Sequence, residues 1–454
     1  MSARIPETLV TLLLAAVFGL AGDLVLARRS SSLREWIESF LVGAGVSAAA
    51  LFPLSLALPG RGLGALASLL AAAAVLSIIQ RRRAPKDSSP RLEGRSSLAR
   101  DPLALALFSI AAASGIAFLV LNWRYVYLWD GFQIWASKAQ VLFYSGDLAP
   151  DLIPGDYFNS KLAYPPLVPM FEALLSMLRG GFDFDALKPP FALFYLAMAV
   201  ATYHAARPSA GRTGALAATA LLCLLPAVST GTAAGGYADL PLAAYVAAVA
   251  AAFLGDGAGK DRALPWLIAC LTTVKSEGAI LAVAFCAVAL VEPLVRHRRP
   301  TFRAGITFAA PTAVFLFLRI SYVRWIGAGD TTYAPINTWS LGRAFGRIPD
   351  VLRLAAQALL DWKTWGLFWA VFLLAAIALL VTRSGPGART AAAATLAGLA
   401  AYTAVFLFTN WPVRLQVEQA YPRLLQQLAP AAAVVIVLAY AKLREAASAA
   451  PAAA

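Results

Sequence analysis

The chain has 454 residues, 60% of them apolar and only 14% charged, with a net charge of +14. Soluble domains run near 45–50% apolar and about 25% charged, and a fold of this size could not hide the surplus from water. A mean hydropathy of +0.69 completes the case for an all-α polytopic membrane protein and excludes a soluble enzyme, a secreted disulfide scaffold and a disordered tail.

In chain order, apolar runs of spanning length fall at 8–27, 36–57, 62–80, 102–122, 186–206, 213–233, 239–255, 278–295, 304–324, 362–381, 391–410 and 425–441. The shorter run 263–276 makes a thirteenth, because its neighbours demand a crossing. Glu7 ahead of the first run and Arg28–Arg29 behind it fit a membrane anchor better than a cleaved leader. The spans divide the chain into three helices with a basic loop (1–101), a central module (102–295) and a C-terminal set (296–454).

More than half of the 38 Lys and Arg residues fall in one alternate set of short segments, 28–35, 81–101, 207–212, 256–262, 296–303, 382–389 and the tail after 441. Such scatter is a topology signal rather than a nucleic-acid patch, and it makes that set cytoplasmic. The two long loops, 123–185 and 325–361, then face outward. Cys223, Cys270 and Cys286 sit inside apolar runs without a CxxC pair, so they read as small buried hydrophobes. Of the two histidines, His204 ends an apolar run and His297 lies in the basic stretch Arg296–Arg299. Any catalysis must rest mainly on carboxylates, lysines and arginines.

The outer loop 123–185 carries the densest chemistry. After Trp129-Asp130-Gly131, the residues Phe132, Trp135, Ala136, Ala139, Leu142 and Phe143 form a helical stripe stopped by Gly146. At about 15 residues this helix is too short to span and should lie in the interface. A second interfacial helix follows Tyr164-Pro165-Pro166, with Leu167, Met170, Phe171, Leu174 and Leu178 on one face. Asp130 has two readings, an N-cap with Gln133 closing a capping box or a carboxylate presented at the membrane surface. Trp129 and Trp135 are either belt aromatics or rings that stack on sugar.

Three further segments place charge at the same outer level. Tyr237-Ala238-Asp239 opens one helix, either as a cap or as a second site carboxylate. Lys275-Ser276-Glu277 puts two charges between apolar runs, where charges are costly and functional by default, although a mutual pair is an alternative. Arg414 and Arg423 stand at the mouth of the last span, as snorkelling cations or as anion ligands. One carboxylate base, several cations that can hold phosphate oxygens and stacking aromatics suit an acceptor hydroxyl attacking a sugar on a lipid phosphate. A glycosidase would instead need two carboxylates across the bond.

The order Trp129-Asp130-Gly131, interfacial helix, Tyr164-Pro165-Pro166-Leu167, second interfacial helix, Asp239, Lys275 and Arg423 resembles the GT-C superfamily of integral-membrane glycosyltransferases. Its polyprenyl-phosphate-sugar branch is the nearest in pattern: the aminoarabinose transferases of lipid A and the protein mannosyltransferases. The resemblance covers 102–295 and 410–430. It implies an inverting transfer on the outer face of a bacterial plasma membrane, from a polyprenyl-phosphate-linked sugar to a glycan, lipid or protein acceptor. In that scheme Asp130 is the base, and Lys275, Arg423 and Arg414 bind the donor phosphate. Trp129, Trp135, Tyr164, Tyr237, Asp239 and Glu277 line the substrate. No metal and no cofactor is expected. Gly131 departs from the acidic pair common at the first motif. A transporter or flippase is the competing reading, but it calls for an internal repeat and mid-depth polar residues, which are not evident; a scaffold of a glycan pathway is another.

Overall fold

The computed structural model describes residues 6–28, 30–83, 101–124, 127–148, 163–255, 258–295, 302–327, 332–334, 337–382 and 384–449. The stretch around His297 lies outside the described residues.

Helices make up nearly all of these residues. We number them α1 (Glu7–Val25), α2 (Leu33–Ala57), α3 (Gly62–Arg83), α4 (Pro102–Arg124), α5 (Ser137–Ser145), α6 (Leu167–Arg179), α7 (Pro189–Leu224), α8 (Asp239–Leu254), α9 (Ala258–Cys270), α10 (Ser276–Val295), α11 (Phe302–Trp325), α12 (Thr338–Leu359), α13 (Phe368–Val381), α14 (Pro386–Val405) and α15 (Val413–Ala449). Among the described residues, eight helical segments are long and apolar enough to cross a membrane, and α8 and α13 are shorter apolar helices. This is a multi-pass membrane architecture.

Each expected apolar run is helical over most of its length. The run 186–206 and the first part of 213–233 fall in α7, which is a hairpin rather than one rod. Gly211 breaks it with φ 66 and ψ −174, and the Tyr195 hydroxyl reaches Cys223 across the turn. In a continuous helix those two residues would stand about 40 Å apart at 1.5 Å per residue. The last run extends well beyond 425–441, to the 37 residues of α15, with Pro422 and Pro430 inside it. The run 362–381 is divided by Gly366 at φ +56 into a single turn and α13.

The loops hold more structure than hydropathy indicated. α12 lies in the connection between positions 325 and 361 and is strongly amphipathic, opened by a reciprocal Asn337–Ser340 capping box. Its Ser340, Ala344, Val351, Leu354 and Ala355 are buried, while Phe345 and Leu352 are exposed. With no spanning-length apolar run, such a helix is invisible to a span search. α6 also departs from expectation, because Leu167 through Ser176 are all buried. Its Phe171 packs on Phe18 of α1, Phe40 of α2 and Phe194 of α7, so this helix is wedged among the spans rather than laid on a surface.

The centre is α8, every residue of which is buried. Its run of alanines lets neighbouring backbones close in, the usual device where lipid removes the hydrophobic drive for helix association. The α1–α2 crossing uses the same device: a Cβ on Gly43 would stand 1.9 Å from the Phe18 carbonyl, and one on Gly22 1.9 Å from that of Ser39. Polar side chains gather at the two ends of this bundle. One end joins Asp23, Ser30, Ser39, Arg28, Glu38, Arg34 and Arg81; the other is the candidate site.

Candidate functional site

Four segments distant in sequence converge at the site, and each is positioned by a local backbone feature. The first is the turn ahead of α5. Gly131–Ala136 is a π-helical stretch, in which the Ser137 amide bonds back to the Phe132 carbonyl; such insertions concentrate at functional sites. Asp130 precedes it in helical geometry and makes no capping bond with its side chain. The N-cap reading of Asp130, with Gln133 closing the box, is therefore not what forms.

The second segment is the turn before α8, which lies directly on the first. The Leu128 amide donates to the Gly235 carbonyl at 3.1 Å. A Cβ on Gly131 would meet that same carbonyl oxygen at 2.3 Å, and Gly236 adopts φ +80 with Tyr127 against it. An acidic residue at position 131 cannot be accommodated in this contact, which gives the departure from the paired-acid motif a steric reason.

The third segment is the α9–α10 break. A 3-10 turn at Leu271–Thr273 ends α9, and α10 restarts at Ser276, leaving Lys275 between them. Gly278 closes the corner, since a Cβ there would lie 1.9 Å from the Leu271 carbonyl. The fourth is α15, where Arg423 and Gln427 are four residues apart and so share a face.

Arg423 ties the carboxylates together. Its Nη1 donates to Asp130 Oδ2 at 2.7 Å, and its Nε and Nη2 donate to Asp239 Oδ2 at 3.1 and 3.0 Å. Its guanidinium also sits 4.5 Å over the Tyr237 ring, a cation–π contact that fixes its plane. Asp239 is fully buried, and its Oδ1 accepts from Lys275 Nζ at 2.8 Å and from the Gln427 amide. Lys275 Nζ also lies 3.2 Å from Glu277 Oε1, so the pairing of those two charges is real but shared with Asp239. The Tyr237 hydroxyl accepts from the Asp130 amide at 3.3 Å, and burial raises its pKa. Tyr164 lies close enough to Arg423 to interact with it electrostatically.

The two aspartates are thereby differentiated. Asp239 is enclosed by a guanidinium, an ammonium and an amide, which hold it as an anion and leave it no room to take a proton. The Asp130 side chain keeps 25% of its exposure and spends one oxygen on Arg423. The cations retain capacity as well. A guanidinium has five N–H donors and an ammonium three. With the bonds above, Arg423 keeps about two and Lys275 about one for an incoming oxyanion.

Not every expected residue joins this cluster. Arg414 is 80% exposed and paired with Glu418 one turn along its own helix. Trp135 is only 1% exposed and packs edge-on against Tyr164, with centroids 5.2 Å apart, so its faces are spent inside the protein. Trp129 is 66% exposed and is the ring of that pair left open. Several members were not singled out from the sequence. Gln427 joins Asp239 to the Tyr402 hydroxyl, and Gln426 accepts from Thr232 at 3.1 Å. The signal for both was two adjacent amides inside a leucine-rich run. Lys138 of α5 is buried and donates to the Tyr164 carbonyl at 2.6 Å; burial, and then the charge of Arg319, pull its pKa down to about 7. Among the described residues no group of three or more His, Cys, Asp or Glu side chains could hold a metal ion.

No family model matches this chain, and no curated protein matches it. Among solved structures it is similar to a crystal structure of ArnT from Cupriavidus metallidurans bound to undecaprenyl phosphate, at 18% identity and a TM-score of 0.49. The match covers 74% of this chain and 59% of that one.

Proposed function

We propose that this chain is an inverting membrane glycosyltransferase that moves a sugar from a polyprenyl-phosphate carrier to an acceptor hydroxyl. The observation that carries the reading is the partly exposed Asp130 carboxylate held 2.7 Å from Arg423, which is anchored by the buried Asp239. In the reaction the acceptor oxygen attacks the anomeric carbon while its proton passes to Asp130. The bond from that carbon to the phosphate oxygen breaks, and the lipid phosphate leaves with the electron pair. Phosphate is a good leaving group at neutral pH, so the step needs no general acid. The open N–H donors of Arg423 and Lys275 stabilise the charge that grows on the phosphate oxygens.

Residue roles follow from accessibility. Asp130 is the base, and Asp239 keeps the two cations in place. Trp129 and Tyr237 flank the approach of the sugar, Tyr164 stands on the Arg423 side and Glu277 orients Lys275. The bias of basic residues toward the opposite end of the bundle supports a site on the outer face, and the reading has the chain cross a bacterial inner membrane thirteen times.

The test is mass spectrometry of lipid and envelope-glycan extracts from cells making the wild-type protein, none, or Asp130→Asn. Loss of one glycan sugar with accumulation of a polyprenyl-phosphate sugar in the last two strains is the expected result. Normal product with Asp130→Asn would remove the base assignment and favour a transporter or flippase.

A further inference from the structure

Beneath the Asp130 turn lies a buried acid–phenol pair. Glu172 of α6 is fully buried, and its Oε1 accepts from the Tyr127 hydroxyl at 2.7 Å. Its Oε2 is buried with no partner. The Tyr127 ring in turn fills the space under both carboxylate turns. A Cβ on Gly131 would stand 2.9 Å from that ring and one on Gly236 2.3 Å from it. The ring is therefore the spacer on which the 130–131 and 235–236 segments rest, and Glu172 fixes its far end.

We infer that Glu172 and Tyr127 form a positioning pair, which sets the distance between the Asp130 turn and the Asp239 turn so that Arg423 can bridge both carboxylates. Neither residue touches the reacting groups. This inference rests on the transfer reading only for its kinetic consequence.

The electrostatic surroundings explain why the acid is built this way. Lys188, at the start of α7, stands 5.8 Å over the Tyr127 ring rather than against the carboxyl. At the far end of α6, Arg179 faces Glu7 of α1 and Asp183, each at 3.9 Å. α1 and α2 contribute the rings Phe18 and Phe40 to the packing beside Glu172. Asp130 and Arg423 lie beyond the turn, paired with each other. With no ionised partner, burial raises the Glu172 pKa from 4.5 to about 8, against the opposing bond from Tyr127. The folded pair therefore binds a proton that an opened one releases, and its stability falls as pH rises from 4.5 to about 8 and levels off above.

The test is hydrogen exchange over residues 128–136 and 235–239 of the full chain in detergent or nanodiscs, from pH 6 to 9. Protection, corrected for intrinsic rates and read in a Lys138→Met background that removes the other buried group titrating in this window, should fall by up to tenfold per pH unit below about 8 and flatten above it. Glu172→Gln, neutral and isosteric, should keep the protection and abolish the slope. Tyr127→Phe should lose protection in both segments at every pH while the remaining helices stay protected, which separates a local effect from failure to fold. An unchanged slope in Glu172→Gln, or unchanged protection in Tyr127→Phe, would overturn the pair. In a turnover assay Tyr127→Phe should lower kcat about tenfold with little change in donor KM. Altered protection without that kinetic loss would support the pair and count against Asp130 as the base.

Discussion

The bundle carries a charged cluster at each end, and the two are built differently. At the end formed by α1, α2 and α3, Asp23 accepts from the Ser30 hydroxyl at 2.6 Å and the Ser39 hydroxyl at 2.7 Å, and also pairs with Arg81. Glu38 holds Arg28 at 2.7 Å and Arg34 at 2.9 Å. Most of these partners are close in sequence, so the cluster is a clasp on consecutive helices, and every carboxylate in it is saturated. At the other end the partners of Arg423 lie 184 and 293 positions away. There the acids are unequal, one enclosed and one open. A cluster whose acids are all enclosed stabilises a fold; one with an open acid, assembled from distant segments, is poised to take a ligand.

The comparison is broken most directly at the two aspartates of the site. Asp130→Asn should reduce turnover by about 10²–10⁴-fold, the range for loss of a positioned base, with the thermal unfolding midpoint nearly unchanged. Asp239→Ala should do the opposite in kind. It leaves Arg423 with Asp130 alone and Lys275 with Glu277 alone in a buried setting and should cost about 3–5 kcal/mol of stability, read as a large fall in Tm. An unchanged Tm in Asp239→Ala would show that this end is not held by its ion pairs.

Cation replacements sharpen the contrast at intermediate size. Lys275→Ala and Arg423→Ala should each weaken binding of a polyprenyl-phosphate probe by about ten- to a hundredfold, roughly 1.4–2.8 kcal/mol. Unchanged affinity in both would remove them from the phosphate site. At the opposite end, Asp23→Asn should cost about 1–3 kcal/mol through its lost hydrogen bonds and leave donor affinity untouched. The smallest effect belongs to Arg414→Ala, which should change neither Tm nor donor affinity, because its exposed pair with Glu418 is solvent-screened. A clear loss of donor affinity in Arg414→Ala would extend the site along the exposed face of α15.

Much of this molecule was readable in one dimension. Hydropathy is a local property, and so are spanning length and the alternation of basic loops. The helical runs, the two short helices between positions 123 and 185 and the segments bearing Asp130, Asp239, Lys275 and Arg423 therefore followed from the sequence. Gln427, Tyr402, Glu172 and Tyr127 did not stand out, because one polar group in an apolar run is uninformative until its partner is known. The amphipathic α12 escaped notice because a helix with one apolar face has no spanning-length run.

What only the tertiary structure decided is which of the marked residues meet. Trp129 and Trp135 share one short segment, yet one ring is open and the other buried. Arg414 and Arg423 share one helix, yet only the latter reaches the carboxylates. The helical period separates such neighbours onto different faces, and long-range packing against α8 chooses the face that turns inward. The sequence by itself determined that charge would gather at one end of the spans. The crossing of four distant segments determined that a guanidinium would bridge two aspartates there, because ion pairs across 184 and 293 positions exist only once the helices have packed.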